Sequence, residues 1–243
     1  VRYLTDGISK YDKYDYSIIE CLLAGGTEIA FPDYTNFDGL RAWPVVEIKN
    51  TAFKNIRFTG DFVMNNLEVV NSMEFFKSIF DGIFEGIKIK NIGSRAFQLS
   101  NFSGSLSLPA CTQIGEYAFY YSNFSGSLSL PACTAVGSAA FMNSNFSGEL
   151  SLPVCTTIGE YAFYYSNFSG SLSLPACTAV GSAAFMNSNF SGELSLPVCV
   201  EIGYEAFVES NFSGSLNLPV CTQIGSSAFL NSNFTQITIG ANA

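Results

Sequence analysis

Ten phenylalanines stand 22 residues apart: Phe31, Phe53, Phe75, Phe97, Phe119, Phe141, Phe163, Phe185, Phe207 and Phe229. Alanine precedes nine of them, and only Glu74 breaks the rule. A period this short cannot bury its own apolar face, so the copies must stack and share one core. Stacking turns equivalent letters into columns. That constraint decides the fold before any composition is weighed.

One unit reads F-S-G-x-L-x-L-P-x-C-T-x-I-G-x-x-A-F, as in residues 102–119. Leu128, Ser129 and Leu130 alternate with period two, which predicts a short half-buried strand. Pro131 ends it, because proline has no N–H to give a ladder. Gly126 and Gly137 mark the turns on either side. Stacked strands about 4.8 Å apart then set Leu106, Leu128, Leu150, Leu172, Leu194 and Leu216 in one inward line and the Ala-Phe phenylalanines in another. Residues 114–155 are identical to 158–199, surface positions included, so a two-unit block has been duplicated.

The ends differ from the middle. Residues 1–30 hold no copy of the unit and are expected to cap the first coil. Residues 31–243 form the solenoid, degenerate over 31–101 and regular over 102–243. The closing stretch FTQITIGANA predicts one more strand with Ile237 and Ile239 inward, and no polar cap after it, which leaves end-to-end self-association open. The chain begins at Val1 and reads as a mature form or an excised piece.

Charge narrows the partners. Eleven basic against 20 acidic side chains give a formal net charge of −9, which argues against nucleic acid or anionic lipid. Every Lys and Arg lies at or before Arg95, so residues 101–243 carry seven Glu and no cation. No apolar run is long enough to predict membrane insertion of this segment.

The segment SLSLPACTQIGEYAF, residues 105–119, resembles the Treponema-type leucine-rich repeat of the BspA-like family: Ile-Gly, then Ala-Phe, then a short apolar strand ending in Pro. The resemblance covers roughly residues 30–240, though this chain sets its cysteine after the proline rather than after Ala-Phe. It implies a single right-handed leucine-rich-repeat-like β-solenoid with one parallel sheet, about ten 22-residue coils and an N-terminal cap. It also implies a secreted or cell-surface protein that binds a protein ligand, such as a host surface or the extracellular matrix, and that is not an enzyme.

Four sets of residues are candidates for chemistry. Cys111, Cys133, Cys155, Cys177, Cys199 and Cys221 recur once per unit, and Leu67 and Ile89 take that place in degenerate copies. An apolar equivalent predicts small buried hydrophobes, with no disulfide and no metal. Asn-Phe-Ser recurs at Asn101, Asn123, Asn145, Asn167, Asn189 and Asn211 and ends as Asn-Phe-Thr at Asn233. These match glycosylation sequons, but a turn repeated because the coil repeats accounts for them better. Glu149 and Glu193 stand two coils apart on a flat ladder without convergent partners, and no histidine exists, so neither catalysis nor a cofactor is expected. The outward columns remain as a binding face: Ser127, Ser129, Glu149, Ser151, Ser171, Ser173, Glu193 and Ser195 on the strands, and Tyr120, Tyr121, Tyr164 and Tyr165 beside the Ala-Phe corner. A spacer without a ligand is the alternative, and sugar binding by the exposed rings a third.

Overall fold

In a computed structural model of the chain, residues 67–240 are described, Ser103 excepted, together with 29–30, 54–55, 57–59 and 62–63. The expected cap lies almost wholly outside the described residues, as does most of the stretch 31–66. What is described is a parallel β-solenoid with no α-helix, eight coils deep along its longest sheet.

That longest sheet does not run along Leu-Ser-Leu. Its eight strands are Val69–Val70, Asn91–Ile92, Gln113–Ile114, Ala135–Val136, Thr157–Ile158, Ala179–Val180, Glu201–Ile202 and Gln223–Ile224, the Thr-x-Ile segment of each unit. Each pairs in parallel with its copy one coil on, Gln113 with Ala135 and Ile114 with Val136. Gly137 follows this strand in contact with the coil before it: a Cβ there would stand 2.7–2.9 Å from the backbone of residues 114–116. Only glycine permits that approach.

The Leu-Ser segments form a second ladder, and it is interrupted. Phe62–Val63, Phe84–Glu85 and Leu106–Ser107 make three strands; Leu128–Ser129 pairs with Leu150–Ser151, Leu172–Ser173 with Leu194–Ser195, and Ser213–Leu218 with Asn233–Ile239. The preceding turn alternates in step. Gly126, Gly170 and Gly214 have φ of 80–81°, whereas the glycines one coil away do not have positive φ. The backbone therefore repeats every two coils along this edge, matching the two-unit duplication in the sequence.

At the Ala-Phe corner no strand forms, yet the hydrogen bonding is complete. Tyr117, Phe119 and Tyr121 donate their N–H groups to the carbonyls of Ser138, Ala140 and Met142 in the next coil, at 2.9, 2.7 and 3.0 Å. Ala118, Tyr120 and Ser122 donate within the turn to Gly115, Tyr117 and Phe119, at 3.3, 3.2 and 3.1 Å. Two residues per corner adopt left-handed φ to allow this, Tyr117 at 54° and Tyr121 at 51°. Each such residue costs roughly 1–2 kcal/mol, which the coil-to-coil bonds and the Phe they bury offset.

The core is the set of columns. The inward leucines and the phenylalanines of this column from Phe75 to Phe207 are buried, and successive rings such as Phe141, Phe163 and Phe185 lie parallel at 5.3 and 5.2 Å. A second phenylalanine column, from Phe80 through Phe102, Phe124, Phe146, Phe168, Phe190 and Phe212 to Phe234, meets the first edge to face, as Phe163 meets Phe168 at 5.8 Å. Ile237 and Ile239 pair with Leu216 and Leu218 in the inward register expected of them, but among the described residues nothing stacks on their far side and they are 42% and 45% exposed.

Two differences from the sequence expectation concern number and place. Ile29 pairs with Phe58 and Ala30 with Thr59, off the register that sets Ala30 beside Ala52. The described sheet counts eight strands rather than about ten. The longest ladder also lies one corner further along the unit than the Leu-Ser-Leu alternation suggests, with the Leu-Ser ladder as a second edge.

Candidate binding surfaces

The eight-stranded sheet carries an open groove of about 580 Å³ across five of its coils. Val69, Asn91, Gln113, Ala135 and Thr157 line it, with Asn71, Gly93, Gly115 and Gly137 along one side. Period-two alternation places these residues outward, because the Ile or Val after each strand position is buried. No charged side chain is among the lining residues. Beside the groove a threonine ladder runs up the stack: Thr134, Thr156 and Thr178 each donate their hydroxyl to the backbone carbonyl of the threonine one coil earlier, at 3.0–3.1 Å. Those hydroxyls retain acceptor capacity toward a ligand.

None of the residues singled out in the sequence lines this groove. Ser127, Ser129, Glu149, Ser151, Ser171, Ser173, Glu193 and Ser195 are all exposed on the Leu-Ser edge. Two of them are already engaged within the fold, since the N–H groups of Glu149 and Glu193 donate to the hydroxyls of Ser127 and Ser171 at 3.0 Å. Tyr120 and Tyr164 are half-buried beside the more exposed Tyr121 and Tyr165, and each pair meets edge to face at 4.6 and 4.5 Å. Burial, then the neighbouring phenols, push the Tyr120 and Tyr164 hydroxyls above their usual pKa. The outward column of the groove carried a signal that the sequence reading passed over: Val69, Asn91, Gln113, Ala135 and Thr157 each stand directly before a buried Ile or Val.

The cysteine column lies in the core, with Cys21 outside the described residues. Each thiol donates to the carbonyl two residues on, Cys133 to Ala135 and Cys177 to Ala179 at 3.3 Å. Burial pushes Cys111 and Cys177 up to about 12 and Cys199 up to about 11, and the bond to Cys155 together with burial pushes Cys133 up as well. Such thiols stay protonated and unreactive at neutral pH.

Asn-Phe-Ser serves the stack through both of its first residues. The phenylalanine is the second core column, and the asparagine amides form an exposed ladder: Asn145 donates to Asn123, Asn167 to Asn145 at 3.5 Å and Asn189 to Asn167 at 3.0 Å. The serine before each asparagine is also structural. Ser122, Ser144 and Ser188 are buried and donate to the carbonyls of Phe119, Phe141 and Phe185 at 2.6 Å.

Stacked 22-residue coils with parallel ladders, aligned phenylalanine columns and a repeated outer face define a leucine-rich-repeat solenoid. The chain matches the BspA type leucine-rich repeat region in six copies, over residues 43–147 and 134–243, and belongs to that family. No curated protein and no solved structure matches it. Repeats of this family are generally non-catalytic protein-interaction modules, and its proteins are typically secreted or held at the cell surface. No helix among the described residues is long and apolar enough to cross a membrane.

Proposed function

We propose that this protein is a non-catalytic binding protein at the cell surface or outside the cell, which adheres to a protein partner along its repeated faces. The observation that carries the reading is the groove across the eight-stranded sheet: uncharged amides, hydroxyls and glycine backbone interspersed with small and branched apolar side chains such as Val69 and Ala135, repeated at ladder spacing. Such a face suits an extended polypeptide, whose own backbone groups recur at a comparable spacing. The Ser and Glu columns of the Leu-Ser edge extend the interface to a second face, with their unengaged members Ser129, Ser151, Ser173 and Ser195 as contacts. A host-surface or matrix protein is the partner this reading favours.

Deleting residues 114–157 removes two whole coils in register and tests the proposal against a spacer role. A binder loses affinity for its captured partner in stages as coils are removed, whereas a spacer only shortens in solution scattering. Because the groove is uncharged, binding persists when ionic strength is raised through the physiological range. Binding abolished by modest salt would count against a partner seated there.

A further inference from the structure

The same tyrosine corner occurs twice, in two electrostatic settings. Residues 114–155 repeat as 158–199, and the rings keep one arrangement: Tyr117 meets Tyr120 edge to face at 5.5 Å, and Tyr161 meets Tyr164 likewise at 5.6 Å. What differs is the coil before. Arg95 precedes Tyr117 in the same left-handed column, and its guanidinium carbon stands 5.0 Å from the ring centroid. Ala139 holds that place ahead of Tyr161. Tyr117 is accordingly half-buried, while Tyr161 is 44% exposed.

The earlier corner follows the same rule, since Lys54 and Lys77 both stand over the Phe76 ring, at 5.2 and 5.4 Å. In the cation-bearing part of the chain, these corner rings are covered from within. Residues 101–243 contain no Lys or Arg that could do so. Glu160 stands directly before the uncovered ring, as Glu116 does before Tyr117, and Glu205, which has no counterpart at Tyr117, follows in the same column two coils on, about 10 Å away at ladder spacing. The Glu205 carboxylate also bonds Tyr204, which keeps a further exposed phenol protonated beside it.

We propose that the exposed face of Tyr161, flanked by Glu160 and Glu205, is a binding site for the guanidinium of an arginine in a partner polypeptide, the group Arg95 supplies internally over Tyr117. Guanidinium is preferred to ammonium because it is planar, weakly hydrated and able to stack on the ring while its N–H groups reach a carboxylate. The site lies on the Ala-Phe corner, away from the groove, and goes beyond the reading of the long sheet.

The test is fluorine NMR on the full chain carrying 3-fluorotyrosine, titrated with N-acetyl-arginine amide, with resonances assigned by Tyr161→Phe and Tyr117→Phe. The Tyr161 resonance is expected to shift saturably while Tyr117 stays put. The citrulline analogue, which has lost the charge, gives no shift, and the lysine analogue a weaker one. Arg95→Ala, a change at an exposed side chain, is expected to make Tyr117 respond like Tyr161. An unmoved Tyr161, equal shifts at Tyr117 and Tyr161 in the parent chain, or an equal response to citrulline each overturns the site. Partner capture along the long sheet is unaffected by Tyr161→Leu, so failure here and failure of the groove are separate results.

Discussion

The Thr-x-Ile sheet runs unbroken through eight coils, while the Leu-Ser ladder of the same coils breaks into short groups. Both are parallel, both alternate buried with exposed residues, and both come from one repeated unit. They differ in what flanks them. After Thr-x-Ile comes a glycine pressed against the previous coil, then a corner in which alternate N–H groups bond to the next coil. Before Leu-Ser comes a glycine whose φ alternates from coil to coil, with a serine hydroxyl accepting an N–H where a carbonyl would continue the ladder. Sheet continuity therefore depends on how closely the corners bring successive coils together, more than on the strand residues themselves.

Alkali should produce the largest effect, and it acts from the long-sheet side, because the cysteine thiols donate to carbonyls of those strands. An unfolded thiol ionises near 9, and the folded ones are raised to about 12 at Cys111 and Cys177 and about 11 at Cys199. The neutral thiol is the form the fold favours, so this contribution is fully present below pH about 9 and is lost as pH rises toward about 12. Circular dichroism against pH should show cooperative unfolding in that window, with iodoacetamide labelling these thiols only as it occurs. Labelling of Cys111, Cys177 or Cys199 in the native chain at pH 8, read by peptide mass mapping, would contradict their placement.

Next comes Phe163→Ala, which removes a fully buried ring stacked between Phe141 and Phe185. A loss of about 3–5 kcal/mol in denaturant unfolding is expected. Two glycines then sharpen the comparison between ladders. A Cβ at Gly159 would stand 2.5–2.9 Å from the backbone of residues 137–138, so Gly159→Ala must push two coils of the long sheet apart, at roughly 1–3 kcal/mol. At Gly170 a Cβ meets nothing within 4 Å, and only its φ of 80° opposes a side chain. Gly170→Ala should cost about 1 kcal/mol. Equal effects at the two glycines would mean that the ladders are coupled more tightly than their pairing suggests.

Much of the fold could be read in the residues because stacking turns letters into columns. Leu128 and Leu150, Ala162 and Phe163, and Cys133 and Cys155 are buried where the period sets them. The family followed from the same letters. The long sheet was harder to see. Gln113–Ile114 is two residues between a cysteine-threonine turn and a glycine, too short for alternation to register, and it becomes a strand only when its neighbours align. Phe124 and Phe146 were hidden for another reason: Asn-Phe-Ser reads as a turn or a sequon, although its phenylalanine keeps the 22-residue period and stands in the core. The groove is made by what the outward column leaves small, Ala135 beside Gly115 and Gly137, and absent side chains leave no mark in a linear pattern.

The smallest expected effect tests whether the long sheet depends on its edge of threonines. Thr156 donates its hydroxyl to the Thr134 carbonyl at 3.0 Å from an exposed position, where water can replace it. The column already contains natural exceptions, Glu68 and Lys90 in the first coils and Val200 between Thr178 and Thr222, and the sheet continues through Glu201–Ile202 and Gln223–Ile224 without a break. Thr156→Val should therefore shift stability by no more than about 0.5 kcal/mol while leaving the ladder paired. A loss several times larger would show the hydroxyl ladder to be a structural element in its own right. In that case the outer edge of the groove could not double as a free set of ligand contacts.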